Sequence, residues 1–297
     1  MTKEQFAAHL TQQLYQIYPQ EDYTIRIDSF IKNNNTMHYG IIIRKNTECF
    51  APTIYIDDFY DDYLKKKLTT DEIAAQVHQI MTGFSHHSEH YQTFSVRWED
   101  CKSKIAYRVI SQERNKDLLN RIPYISFLDL AIVFYIVYDI SEQGLESICV
   151  TEDLCSRWGV STQELLRMAE ENTPRIFASK VETMEGFLCE YLGCKFNSSE
   201  EEHPDIYVFS NNFGINGASV LVYKNLIHEF AEQLQSNLYV LPSSIHELLV
   251  IPEFAVSTSL PALSNLVRTI NQTHVLEEEI LSDRAYYYER EEKRFLM

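Results

Sequence analysis

Apolar residues recur along this chain at two periods, and the switches between them mark out its elements. Phe6, Leu10, Leu14 and Ile17 fall at helical spacing behind Thr2 and Gln5, which stand three apart as in a capping box, so an amphipathic helix is expected over 3–18. The period then becomes two. Tyr23, Ile25 and Ile27 alternate with Thr24, Arg26 and Asp28, the Asn33-Asn34-Asn35 run supplies turn chemistry, and Met37, Tyr39, Ile41 and Ile43 alternate again, which predicts a hairpin over 23–44. Pro52 to Ile56 reads as a third strand, and a second capping box, Thr69 with Glu72, precedes a helix over 70–81 lined by Ile73, Val77 and Ile80.

Beyond the polar stretch Ser111–Asp117, the β-branched and aromatic run from Ile132 to Tyr138 reads as a buried strand, with a buried helix as the alternative. Ser147–Thr151 is a short strand, and Ser161 with Glu164 opens a helix over 162–171 that continues towards Pro174. Ile206–Phe209 predicts a strand, and Val220, Ile227, Phe230 and Leu234 predict one helix over 219–235. Another helix is expected over 262–270, and Tyr286-Tyr287-Tyr288 is expected to pack near the C-terminus. The fold class is therefore α+β, an antiparallel or mixed sheet with amphipathic helices packed on it, divided into subdomains 1–115 and 116–297.

Composition adds compartment and charge. Hydrophobic residues make up 45% of the 297 and charged ones 23%, as in soluble globular proteins, so a self-sufficient core is expected. With 43 acidic against 26 basic residues the net charge is -17, which repels phosphate and argues against nucleic acid and anionic membrane as ligands. Between Asp139 and Asp205 there are 15 acids against five bases, so more than half of the charge is concentrated there. The acids form either a solvated surface or a face for a basic protein, with Glu200, Glu201 and Glu202 as the densest loop. The six cysteines form no CxxC pair and fit a reducing cytoplasm. The window from Ile122 to Ile140 is interrupted by Asp129, and its unbroken run from Leu130 to Tyr138 is far shorter than the ~20 residues of a bilayer span, so it reads as core.

Candidate chemistry centres on Tyr239–Glu253, where two apolar runs flank Pro242-Ser243-Ser244. Ser243, Ser244, His246 and Glu247 are the residue types of a hydrolytic site, yet the same residues serve a turn between two buried strands. No Gly-x-Ser-x-Gly elbow, P-loop or dinucleotide fingerprint occurs, and no cofactor is expected. For metal, His228 and Glu232 share a helix face and His86 and His90 stand four apart, but neither pair has an evident third ligand. Asp57, Asp58, Asp61 and Asp62 lack the glycine and glutamate spacing of a calcium loop and precede Lys65-Lys66-Lys67, which reads as a self-neutralising surface.

Five stretches, Lys32-Asn-Asn, Pro52-Thr-Ile-Tyr-Ile, Phe127-Leu-Asp-Leu-Ala-Ile-Val-Phe, Leu238-Tyr-Val-Leu-Pro-Ser-Ser-Ile-His-Glu and Leu281-Ser-Asp-Arg, resemble an uncharacterised bacterial domain-of-unknown-function family, numbered fifty-six eighty-eight. The resemblance spans most of the chain and implies one cytoplasmic, bacterial family unit, without assigning any catalytic residue. Trp158-Gly159-Val160-Ser161 with Glu164-Leu165 and Ala169-Glu-Glu-Asn172 is more loosely similar to a second uncharacterised family. The expected function is a non-enzymatic, protein-binding regulator or inhibitor acting through an acidic surface. A hydrolase using the Ser/His/carboxylate block or the His86–His90 cluster is the second reading, and a structural subunit of a homo-oligomer the third.

Overall fold

The computed structural model describes residues 1–48, 51–85, 96–141, 144–192 and 206–297. The chain forms two compact units, residues 1–32 with 36–95, and residues 33–35 with 96–297. Ile105–Ser111 is a strand of the second unit's sheet.

In the first unit, helix α1 (Lys3–Ile17) has its full capping box: Thr2 N donates to Gln5 Oε1 at 3.0 Å and Gln5 N to Thr2 Oγ1 at 3.3 Å. Strands β1 (Tyr23–Ile31) and β2 (Met37–Lys45) pair antiparallel with Ile25 opposite Ile43 and Ile27 opposite Ile41, and β3 (Thr53–Tyr55) adds to β2. Helices α2 (Asp57–Leu64) and α3 (Thr70–Ser85) follow. Phe6, Leu10, Leu14, Ile41, Ile56, Ile73 and Val77 are fully buried in one core. Burying such a side chain contributes roughly 1.5–3 kcal/mol against ~1 for a cap, so the apolar stripe holds α1 in place and the box sets its start.

The second unit is built on two antiparallel sheets that share a core. One holds β4 (Ile105–Ser111), β5 (Tyr124–Phe127), β6 (Leu130–Ser141) and β7 (Gly144–Cys149), with β6 pairing all three others. The other has the order β13-β12-β10-β11-β9-β8, from β8 (Ser179–Thr183), β9 (Tyr207–Asn211), β10 (Leu238–Pro242), β11 (Leu248–Pro252), β12 (Tyr286–Glu289) and β13 (Arg294–Leu296). Alternation explains why β10 is buried throughout. Leu238 and Val240 join Tyr107, Phe134 and Ile136 in the shared core, while Tyr239 and Leu241 face Leu263 and Val267 of a helix at Leu260–His274.

Edge strand β4 is closed by side chains. Thr173 Oγ1 accepts from Tyr107 N at 3.0 Å, Ser219 Oγ accepts from Val109 N at 3.2 Å, and Asn172 Nδ2 donates to Ile105 O at 3.0 Å. Thr173 and Asn172 belong to the helix at Thr162–Ile176, preceded by a shorter helix at Glu152–Trp158 that Thr151 caps and Gly159, at φ 68°, ends.

One sequence expectation changes. The single helix over 219–235 is instead a 3-10 segment, Gly217–Val222, and a helix at Leu226–Leu234, separated at Asn225 with φ 65°. The break lets the buried Tyr223 donate its hydroxyl to Phe177 O at 2.6 Å while Val220 and Ile227 both reach the core. The Ile132–Tyr138 run is strand, as its β-branched content favours over the helical alternative. The acidic run from Asp57 is a helix, and three of its four carboxylates are paired with lysine: Asp57 with Lys3, Asp61 with Lys65, Asp62 with Lys67. Among the described residues no helix is long and apolar enough to cross a membrane.

Candidate functional site

The loop between β10 and β11 spends its reactive groups on its own shape. Ser244 is buried; its Oγ donates to Glu247 Oε1 at 2.9 Å and accepts from His246 N at 2.9 Å, a hydroxyl turn two residues long. The His246 ring turns away from it. Its Nδ1 lies 3.0 Å from Gly214 O and 3.4 Å from Asn216 N, donating to the first or accepting from the second according to tautomer, and Nε2 lies 3.6 Å from Glu279 Oε1. Ser243 makes no hydrogen bond among the described residues. Ser244, His246 and Glu247 are thus adjacent without the hydroxyl-to-imidazole bond that activates a nucleophile. Ser244→Ala should cost ~1 kcal/mol in chemical denaturation, the worth of a turn or cap hydroxyl. Unchanged stability together with lost cellular activity would make the loop a working site instead.

The metal candidates fare differently. Glu232 faces Arg290, whose Nη1 is 3.3 Å from Oε2, and His228 packs beside Tyr288 with ring centroids 6.4 Å apart, its Nδ1 buried without a partner among the described residues. Among the described residues no three His, Cys, Asp or Glu stand close enough together to hold a metal ion. His86, His90 and the loop Glu200, Glu201 and Glu202 lie outside the described residues. Burial raises the Cys101 and Cys149 thiols and pushes Cys155 up to about 11, which disfavours the thiolate a nucleophile needs.

The densest polar convergence lies elsewhere, in the second unit, and joins residues far apart in the chain. Asp129, in the two-residue turn between β5 and β6, accepts from Tyr286 Oη at 2.6 Å through one oxygen and from Ser282 Oγ at 2.7 Å through the other. Leu128 beside it has φ 56°, a left-handed position that glycine usually fills in such a hairpin, so the turn is held in place from outside. Next to this pair, Asp283 accepts from Arg114 Nη2 and Asn271 Nδ2, both at 2.9 Å. Burial raises the Asp283 carboxyl, but those two bonds and the Arg114 charge outweigh it and leave the group below its ordinary value. Asn115 bonds the buried Asn34, whose Nδ2 also donates to Glu277 O and Ile280 O at 2.7 Å.

Burial, followed by the Asp129 charge, pushes the Tyr286 hydroxyl well above its usual value, so it stays a neutral donor. Asp129 itself lines a cleft of about 380 Å³ with Glu113, Lys116, Asn120 and Tyr124. The cleft brings mixed charge to one place, but both Asp129 oxygens already accept a hydroxyl hydrogen, which suits the carboxylate to fixing the turn rather than to taking a substrate proton. None of Asp129, Ser282, Tyr286 or Asp283 stands out by motif. The available signal was Asp129 as the lone acid in an apolar window, together with the Leu281-Ser-Asp-Arg stretch.

No curated protein and no solved structure matches the chain. A family model described as a family of unknown function (DUF5688) matches residues 3–290, taking in both units and every residue of the Asp129 network. The chain belongs to that family.

Proposed function

We propose that the protein works by binding a partner protein with a basic surface, as a regulator or inhibitor, through acidic residues of its second unit. The observation that carries this reading is a set of exposed carboxylates with no cation paired to them among the described residues: Glu152 and Asp153 in the first turn of the helix at Glu152–Trp158, and Glu170 and Glu171 on the helix at Thr162–Ile176. An exposed charge of this kind adds little to folding, since even a formed surface ion pair is worth ~0–1 kcal/mol. It is available to steer and orient a partner of opposite sign. The bonding of Ser244 within its own turn supports a binding role over the hydrolytic one.

The test is capture of a partner from the native host, repeated with Glu152, Asp153, Glu170 and Glu171 each reversed to lysine. Affinity should fall by about tenfold or more in the reversed protein while its melting curve stays near wild type. Capture should also weaken as ionic strength rises, because the screening length shrinks from ~30 Å at about 0.01 M to ~3 Å at about 1 M. A partner retained equally through salt and charge reversal would remove electrostatics from the account.

A further inference from the structure

A second cleft, of about 580 Å³, has the opposite electrostatic character. In a chain of net charge -17, none of its described lining residues is acidic, and two of them are Lys104 and Arg175. Arg175 is held through one nitrogen. Its Nη2 donates to Ser103 O at 2.7 Å and to Asn172 Oδ1 at 3.2 Å, which leaves Nη1 and Nε without a hydrogen bond among the described residues. Asn172 is fixed in turn, being 9% exposed and donating through Nδ2 to Lys102 O at 2.8 Å and Ile105 O at 3.0 Å. Lys104 Nζ makes no hydrogen bond or ion pair there and lies 5.3 Å from the Tyr138 ring centroid. Tyr138, with Val137 and Ile176, supplies the apolar side.

We propose that this cleft binds a small organic acid, a single carboxylate carried on an apolar or aromatic body. A guanidinium fixed through Nη2 keeps Nη1 to donate to one carboxylate oxygen, and Lys104 adds a second, mobile positive charge. The cleft is shallow and open to solvent, and its Tyr138, Val137 and Ile176 side gives the body of the acid an apolar surface to cover. Among the described residues neither cation has a counter-charge, so the ligand supplies one. The site shares the helix at Thr162–Ile176 with Glu170 and Glu171, but none of the four acids proposed to meet a protein partner lines it.

Titration calorimetry of the full chain tests it, with phenylacetate as probe and inorganic phosphate as comparison. Phenylacetate should bind saturably and at least tenfold more tightly than phosphate. Binding should weaken by tenfold or more in Lys104→Gln and in Arg175→Gln, and Lys104→Arg should retain it. Among the described residues Lys104 makes no hydrogen bond or ion pair, so the Lys104→Gln result stands even if Arg175→Gln loosens the Ser103 and Asn172 contacts. Absence of saturable phenylacetate binding, binding unchanged in both glutamine variants, or phosphate bound as tightly as phenylacetate would each overturn the proposal.

Discussion

Replacing Gly217 with alanine should cost about 3 kcal/mol of stability, at or beyond the upper end of ordinary overpacking. Gly217 opens the 3-10 segment Gly217–Val222, which crosses the end of β9 beneath the loop between β10 and β11. A methyl group there would collide with Ser210 Oγ and with the carbonyl oxygen of His246, and would lie 3.0 Å from Asn211 N. The serine cannot simply turn aside, because its hydroxyl donates to that same His246 carbonyl at 2.8 Å. The carbonyl is backbone, in a loop tied down by Ile245 N to Glu279 O at 2.8 Å and Ala218 N to Ile245 O at 3.2 Å. Relief therefore requires prising the segment from β9 or dragging the loop off its bonds. Chemical denaturation of Gly217→Ala beside Gly214→Ala separates this from backbone strain. Gly214 has φ 65° and open space around its Cβ position, so its substitution should cost only ~1 kcal/mol. A Gly217→Ala cost no larger than that would mean the segment shifts freely and the close packing is not a constraint.

That contrast also shows what the sequence could and could not disclose. Local signals were readable: the Thr2/Gln5 box starts α1, Thr69 and Glu72 bond reciprocally at the head of α3, and the alternation of β1 and β2 fixes Ile25 against Ile43. Each depends on residues within a turn or on one repeated period. The 219–235 segment misled because its apolar spacing suits a continuous helix, while the break at Asn225 answers to tertiary demands, the Tyr223 bond to Phe177 and the Ser219 bond to β4, made by residues 46 and 110 positions away. Strand β4 went unread because its burial on both faces erases the alternation that marks a half-exposed strand. The 239–253 block was legible as two buried strands and a polar turn, but the direction in which His246 faces was not, since that depends on Gly214 and Asn216. The Asp129 network is the extreme case: its two hydroxyl donors come from 153 and 157 residues downstream, and no spacing rule links them.

Removing the carboxylate at the centre of that network, by Asp129→Ala, should cost about 3 kcal/mol. Each hydrogen bond to a charged group is worth ~1.5–3 kcal/mol, and two are lost together. The larger part should come from what is left behind. Tyr286 is fully buried and its hydroxyl then has no acceptor, a penalty of ~1–3 kcal/mol, whereas Ser282 Oγ still accepts from Arg284 N at 3.0 Å. The strained Leu128 turn loses its anchor at the same time. Because the orphaned phenol is the main cost, Tyr286→Phe in the Asp129→Ala background should recover about 1 kcal/mol or more, although Tyr286→Phe alone destabilises the wild type. A double-mutant cycle by urea denaturation measures this directly. If the two substitutions add without coupling, the bond between Asp129 and Tyr286 carries no energy of its own. The Asp129 cleft would then be held open by packing of β5 and β6 alone, and Asp129 would be free for chemistry that its two hydroxyl partners otherwise oppose.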